Sequence, residues 1–357
     1  MRRRTLTYGA SVTPTTAPTA PPPRGGADAP AGPAAPPSPA EVEEAGRTAG
    51  AVLDAVRSVV RGKDEVVRAA VTTLVSGGHL LVEDVPGVGK TVLATALARA
   101  LDLAVRRIQF TPDLLPGDVT GVSVWDPAER TFTFTPGAVF AGLVVADEIN
   151  RASPRTQSAL LECMAEGHVT VDGVTHPLPD PFFVVATQNP ADMEGTYPLP
   201  EAQRDRFTAR LSVGYPSPED EVAVLAARGG GRPDPLDLVA PVATGDDVRA
   251  LVALAARVHA APALLRYVVD VADATRRHPA VALGASPRAA LHLLRAARAR
   301  ALLAGRDHVL PDDVQELAAT VLAHRLVPHD GGGPAEQDAT GRAVVADVLA
   351  RTPLAAG

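Results

Sequence analysis

Two short runs carry the residue types that phosphate chemistry needs. In Asp84-Val85-Pro86-Gly87-Val88-Gly89-Lys90-Thr91 the glycines let backbone N–H groups turn toward phosphate oxygens, Lys90 supplies a point charge, and Thr91 offers a hydroxyl to Mg²⁺. The run fits the phosphate-loop pattern G-x-x-x-x-G-K-[ST] at every fixed position but the first, where Asp84 replaces glycine. Alone, a Gly-rich strand-to-helix turn with an incidental lysine would look the same. The second run, Leu143-Val144-Val145-Ala146, is an apolar strand that delivers Asp147 and Glu148 at its C-terminal end, where open α/β sheets bind their ligands. There Asp147 would hold the Mg²⁺ shell and Glu148 would take a proton from an attacking water. An Asp-Glu pair is often only a solvated strand end, but beside the glycine loop the chemical reading is the stronger one.

Such groups need a sheet to position them. His79 to Glu83 reads as a buried strand before the loop, and Thr91 to Leu101 as the helix after it. Further strands are expected at Val105 to Phe110, Gly142 to Ala146, Phe182 to Ala186 and Arg210 to Val213, with a helix at Pro154 to Ala165. Strands alternating with helices predict a parallel α/β sheet. Two helices precede it, Glu41 to Gly62 and Asp64 to Val75, and two insertions interrupt it: Thr120 to Val139, and a hairpin with an Asp-Gly turn within His168 to Pro179. After Tyr215-Pro216 the pattern predicts helices only, at Glu219 to Ala227, Asp246 to His259, Ala263 to Arg276, Pro287 to Leu303 and Pro311 to His324, with a flexible joint around Gly229 to Pro235. The expected layout is a disordered Pro/Ala-rich tail over 1–40, an α/β nucleotide-binding core over 41–216 and a helical domain over 217–357.

Composition narrows the class. A chain of 357 residues supports two cores, and a formal net charge of -7, from 34 Lys+Arg and 41 Asp+Glu, gives no electrostatic drive toward nucleic acid or an anionic membrane. One cysteine, Cys163, excludes an internal disulfide and fits a cytoplasmic protein. Met1-Arg2-Arg3-Arg4 is not followed by the apolar stretch of a secretory signal, and the apolar stretches further on are too short to span a bilayer. His324 and His329 have no companion ligands in the pattern, so no protein-bound metal is expected beyond the nucleotide's Mg²⁺. Cys163 falls on the apolar side of its helix and reads as core. Trp125, the sole tryptophan, reads equally as a contact for a partner and as packing beneath its hairpin.

The runs Glu83 to Thr91, Ala146-Asp147-Glu148-Ile149-Asn150-Arg151-Ala152, Ala186-Thr187-Gln188-Asn189-Pro190, Glu194 to Gln203 before Asp205-Arg206-Phe207, and Gly284-Ala285-Ser286-Pro287-Arg288-Ala289 together resemble the MoxR family of AAA+ ATPases, over roughly Ala55 to Leu326. That resemblance implies an AAA+ P-loop core with two inserted hairpins, an all-helical lid, ATP and Mg²⁺ as ligands, and a hexameric ring. It also implies a chaperone-like role in maturing protein complexes, with von Willebrand factor A domain proteins as partners. Val85, Pro86, Gly87, Val88, Gly89, Lys90, Thr91 and Val92 would bind the phosphates, Thr91 and Asp147 the Mg²⁺, and Gly62, within Val60 to Lys63, would lie near adenine. Asn189 matches sensor 1, although Asn before Pro is also a common turn signal. Arg206 matches the arginine finger that reaches a neighbouring subunit, with Arg204 as competitor and an ion pair to Asp205 or Glu201 as the structural alternative. Arg288 matches sensor 2: Ser286 as N-cap and Pro287 at the first helical position would set it in the opening turn of a lid helix, within reach of phosphates. A surface arginine beside Arg295, Arg298 and Arg300 is the plainer reading.

The leading function is thus a remodelling ATPase. Two rivals stay open: a slow nucleotide-gated binding module, and a DNA-dependent motor, against which the acidic balance argues.

Overall fold

The computed structural model describes residues 35–85, 87–189, 196–228 and 234–354. Pro86, Pro190, the expected tail up to residue 34 and most of the joint at Gly229 to Pro235 lie outside the described residues. Pro36–Gly357 forms one compact unit.

The chain enters through helix α1 (Pro39–Arg57), started by a capping box between Ser38 and Glu41. Val42, Ala45, Ala49, Val52 and Val56 give it one buried face. It stops five residues before the expected Gly62, which turns the chain at φ 68° into α2 (Asp64–Val75). Then come strand β1 (Leu80–Glu83), α3 (Lys90–Ala100), β2 (Val105–Gln109) and α4 (Pro116–Thr120). The first insertion is the hairpin β3 (Gly121–Asp126) and β4 (Thr131–Pro136). After β5 (Leu143–Asp147) and α5 (Pro154–Glu166), the second is β6 (His168–Val171) and β7 (Val174–Pro177), turning at Asp172-Gly173, both at positive φ. β8 (Phe183–Gln188), α6 (Glu201–Arg204) and β9 (Ala209–Leu211) complete the sheet region.

The five-stranded sheet is parallel, in the order β2-β5-β8-β1-β9. β1 and β5 are buried along their whole length, as strands covered on both faces must be. Alternate residues sort onto the two faces: Leu80, Val82, Leu143, Val145, Phe183 and Val185 join one core, and Leu81, Val144, Ala146, Val184 and Ala186 the other.

The remainder is α7 (Pro218–Arg228), α8 (Gly245–Arg257), α9 (Pro262–Arg276), β10 (Val281–Leu283), α10 (Pro287–Leu303), α11 (Pro311–Leu322), β11 (Val327–Pro328) and α12 (Pro334–Arg351). It departs from a purely helical region: β10 and β11 pair antiparallel, and His259 bridges His308 in parallel. α12 is also absent from the sequence expectation, because its buried Val344, Val345 and Val348 all lie in its second half. Gly341 in that helix allows a close approach, since a Cβ there would sit 2.6 Å from the Ala323 carbonyl oxygen. Residues of α8 to α12 share one continuous core with α1, α2, α3 and one face of the sheet. The helical region therefore packs directly on the sheet's supporting helices.

Candidate functional site

In a parallel sheet every strand ends on the same side, and β5, β8 and β1 are adjacent. Asp147 closes β5, Asn189 follows β8 and the glycine loop follows β1, so the structure brings these three groups together at the carboxyl edge, with strands about 4.8 Å apart. Gly87 and Gly89 adopt φ 85° and 94°, and a Cβ on either would meet nothing within 4 Å. Glycine is needed there for backbone conformation, not for space. Lys90 Nζ donates to the carbonyl oxygens of Asp84 (2.6 Å) and Gln188 (3.3 Å), which fixes it between the loop and β8. Burial draws its ammonium below the ordinary value, against the opposing pull of Asp84, Asp147, Glu148 and Glu83.

Asp84, the departure from the phosphate-loop pattern, is an anchor. Its Oδ1 accepts from the Val85 N–H (2.8 Å), and its Oδ2 from Ser212 Oγ (2.9 Å) and the Gly214 N–H (2.5 Å). Burial would raise this carboxyl, but the hydrogen bonds from Gly214, Ser212, Val85 and Val213 outweigh it and leave it below its ordinary value. The same stretch after β9 meets the expected adenine region, where Lys63 Nζ donates to the Tyr215 carbonyl (2.7 Å) and Gly62 packs against the Asp220 carboxylate. Val88, Thr91 and Val92 are half-buried, with Val88 and Val92 packed on the core.

Asp147 accepts from Thr187 Oγ1 at 3.2 Å and Arg107 Nε at 2.5 Å. Glu148 sits in the left-handed region at φ 56°, a strained position for a residue with a side chain. Thr187 Oγ1 accepts its N–H at 3.0 Å, and its carboxylate accepts from Gln109 (3.1 Å) and Arg151 (3.0 Å). One threonine thus holds the Asp147 carboxylate and the Glu148 backbone. The hydroxyl of Thr91 and the carboxylate of Asp147 are hard oxygen donors, the set that suits Mg²⁺ shared with nucleotide phosphates. Thr187, Arg107, Gln109 and Arg151 were not singled out from the sequence. Thr187 stands two residues before Asn189, and Gln109 pairs with Asp147 across β2 and β5, so only the strand register reveals them.

The two arginines lie at the other edge. Thr208 N–H donates to the His79 carbonyl just before β1 begins, and β9 starts at Ala209, so Arg206 sits at the amino edge. Its Nη1 donates to the Leu161 carbonyl at 2.8 Å. Ser286 caps α10 as expected, accepting from Ala289 N–H at 3.0 Å, yet Arg288 lines a cavity of about 290 Å³ with Arg206, Gly78 and His79. The structure brings Arg288 to Arg206 and not to Lys90 or Glu148. The cause is the seat of α10, which packs on α2 and α8 and turns its first residues toward the Gly77-Gly78 bend. The depth of β1, roughly 13 Å for four residues, lies between the two sets.

The ion pairs offered as alternatives for Arg206 are taken by others. Glu201 lies 3.8 Å from Arg204, and Asp205 is 2.9 Å from Arg325 and accepts from Ser286 Oγ at 3.0 Å. Arg325, which sequence reasoning passed over, also reaches the Phe207 and Thr208 carbonyls and ties the loop around Arg206 to the helical region. Trp125 is 49% exposed and meets Phe132 edge-on at 5.1 Å, so it does not pack beneath its hairpin. Phe134 stacks on His176 at 3.8 Å and links the two hairpins. Cys163 is buried, with burial first and Glu162 second pushing its thiol up to about 12. No described helix is long and apolar enough to cross a membrane.

Residues 79–209 match the model of the ATPase family associated with various cellular activities (AAA), and 273–348 that of the AAA lid domain. YeaC of Bacillus subtilis is 48% identical over 78% of this chain and 87% of its own length. Chaperone MoxR1 of Mycobacterium tuberculosis is 46% identical over 76% and 74%. A crystal structure of a Cytophaga hutchinsonii protein superposes with TM-score 0.80 at 35% identity, covering 89% of this chain and 98% of its own. With the phosphate loop, acidic strand end and lid in one parallel α/β framework, the chain belongs to the MoxR family of AAA+ ATPases.

Proposed function

We propose that the protein hydrolyses ATP to ADP and phosphate in a Mg²⁺-dependent reaction at the boundary between two copies of itself, within a hexameric ring, and uses the cycle to remodel a protein client. The supporting observation is the division of charged groups between the two ends of one sheet: Lys90, Asp147 and Glu148 at one, Arg206 and Arg288 at the other. A head-to-tail neighbour would bring the missing half to each site.

In this reading the loop from Val85 to Gly89 and Lys90 hold the β- and γ-phosphates, with the N-terminus of α3 aimed at them. Thr91 and Asp147 would hold the Mg²⁺ ion, which would neutralise phosphate charge. Glu148 takes the proton from a water that Asn189 helps to orient, and the neighbour's copies of Arg206 and Arg288 meet the charge that develops on the transferring phosphoryl group. Gly62 and the stretch around Tyr215 border the base. The chaperone name of the M. tuberculosis relative supports a protein client, and the exposed Trp125 and Phe132 supply apolar contact area for one. A von Willebrand factor A domain protein as partner follows from the family resemblance, and a cytoplasmic setting from the single cysteine.

The test is subunit mixing. Arg206→Ala and Glu148→Gln chains, each inactive alone, should regain ATPase activity when combined, because some boundaries then pair an intact Glu148 with an intact Arg206. Rates measured against protein concentration, with sedimentation of the same samples, check the ring. No recovery in assembled mixtures, or full activity in a monomer, would sink the shared site.

A further inference from the structure

Three arginines of α10, leaving aside the half-buried Arg298 outside the cavity, divide into two kinds. Arg300 is committed to the fold, pairing with Asp313 at 3.2 Å and with Glu316. Arg288 and Arg295 form no ion pair or hydrogen bond with any described residue, and both line the amino-edge cavity with Arg206. They are seven residues apart, which is two turns on one helix face and about 10 Å along the axis. None of the residues lining this cavity is a carboxylate, in a chain whose formal net charge is -7.

The histidines of the cavity add no charge and no acid. His79 accepts from Val184 N–H at Nδ1 (3.1 Å), which leaves its proton on Nε2, 3.1 Å from the Met164 carbonyl. His292, one turn from Arg288, accepts from Arg325 at Nδ1 (2.6 Å), so it too presents a neutral Nε2–H. Burial, then Arg325, Arg295 and Arg288, hold its basicity down to about 3. Asp205, which precedes Arg206 in the chain, is engaged by Arg325 and Ser286. Three guanidinium groups therefore share one open pocket with no counter-charge in its lining, an arrangement suited to a polyanion.

We propose that Arg295 is a third member of this cationic set and that the pocket formed by Arg206, Arg288 and Arg295 binds a polyphosphate chain, the one presented by a nucleotide seated in the neighbouring copy. The identity of the donor rests on the shared-site reading; the anion site does not. Arg206 is oriented by the Leu161 carbonyl, whereas Arg295 is exposed and free to follow the anion. Its contribution falls on capture of the bound nucleotide more than on the chemical step.

The probe is inorganic tripolyphosphate, titrated calorimetrically at low salt into full-length Lys90→Ala protein, whose own phosphate loop is disabled. One site should remain. Adding Arg295→Ala should weaken it about fivefold or more, while Arg295→Lys, which keeps the charge, should cost less than about twofold. Arg277→Ala, at an exposed position outside the cavity, should leave it unchanged. Absence of any site in the Lys90→Ala protein, or equal affinity with and without Arg295, overturns the proposal. With Lys90 intact, Arg295→Ala should raise the ATP concentration for half-maximal hydrolysis and lower kcat less than Arg206→Ala does. If the unmodified protein does not hydrolyse ATP at all, the ATPase reading fails while the tripolyphosphate titration still decides the arginine pocket.

Discussion

The two ends of the central sheet are built by different means. At the carboxyl edge the chemical groups leave adjacent strands, and hydrogen bonds donated by Thr187 and Arg107 to Asp147 and by Gln109 to Glu148 aim them. At the amino edge the charged groups come from a loop and a lid helix far apart in sequence, with the neutral His79 and His292 beside them. The first end is dictated by topology: once β1, β5 and β8 pair in parallel, Lys90, Asp147 and Asn189 must converge. The second depends on how the helical region seats against α2. One end is set by the sheet and the other by packing, so they should respond differently to perturbation.

The largest separation should come from Glu148→Gln. Removing the base should lower the turnover rate by about 10²–10⁴-fold while ATP binding, measured by equilibrium dialysis, is kept. Rapid steady-state turnover in that variant would take the proton-accepting role away from the carboxyl edge.

Acid should act on the amino edge. Burial holds His79 down to about 4 and, with Arg325 and neighbouring arginines, His292 to about 3, both from an ordinary 6.5. The folded forms are neutral, whereas the unfolded chain takes up protons as pH drops below 6.5. Stability is therefore full above that pH and falls as the pH goes from 6.5 toward 4, by about 1.4 kcal/mol per unit for each histidine. Melts at pH 7 and pH 5 should show Tm falling; a flat profile would mean that these rings charge without cost.

Asp84→Asn is the mildest test and sharpens the carboxyl edge. An amide nitrogen would replace one acceptor, facing either Ser212 and the Gly214 N–H or the Val85 N–H, and should cost about 1–3 kcal/mol. Because the Asp84 carboxyl lies below its ordinary 3.8, its contribution is present above that pH and is lost only below it. Urea titrations at pH 7 should show the loss, and a neutral outcome would mean that the anchor adds nothing to the loop.

How far the sequence reveals each end follows the same division. The five strands of the central sheet were legible to within one or two residues, most plainly β1 and β5, where an apolar run ends in acid, whereas β10 and β11 were not. The second hairpin was legible from Asp172-Gly173, the first as an insertion that the family resemblance made a hairpin. Arg206 and Arg288 stood out by type and neighbours, but no local pattern says that they meet, since α10 is placed by long-range contacts with α2 and α8. The partners of the carboxylates were hidden for a related reason: Thr187 and Gln109 act across strands, and register is not visible along one strand. α12 escaped because a polar first half masks its apolar stripe, and Arg325 because nothing in its surroundings marks it as buried.

The single thiol has a practical consequence. Cys163 is buried and raised to about 12, so at neutral pH almost none of it is thiolate and alkylating dyes will pass it over. The natural chain should behave as a cysteine-free background for spectroscopy. A cysteine introduced at Phe132, on the exposed hairpin, would take a fluorophore alone, and the hairpin's movement could be followed through a nucleotide cycle without first rebuilding the protein.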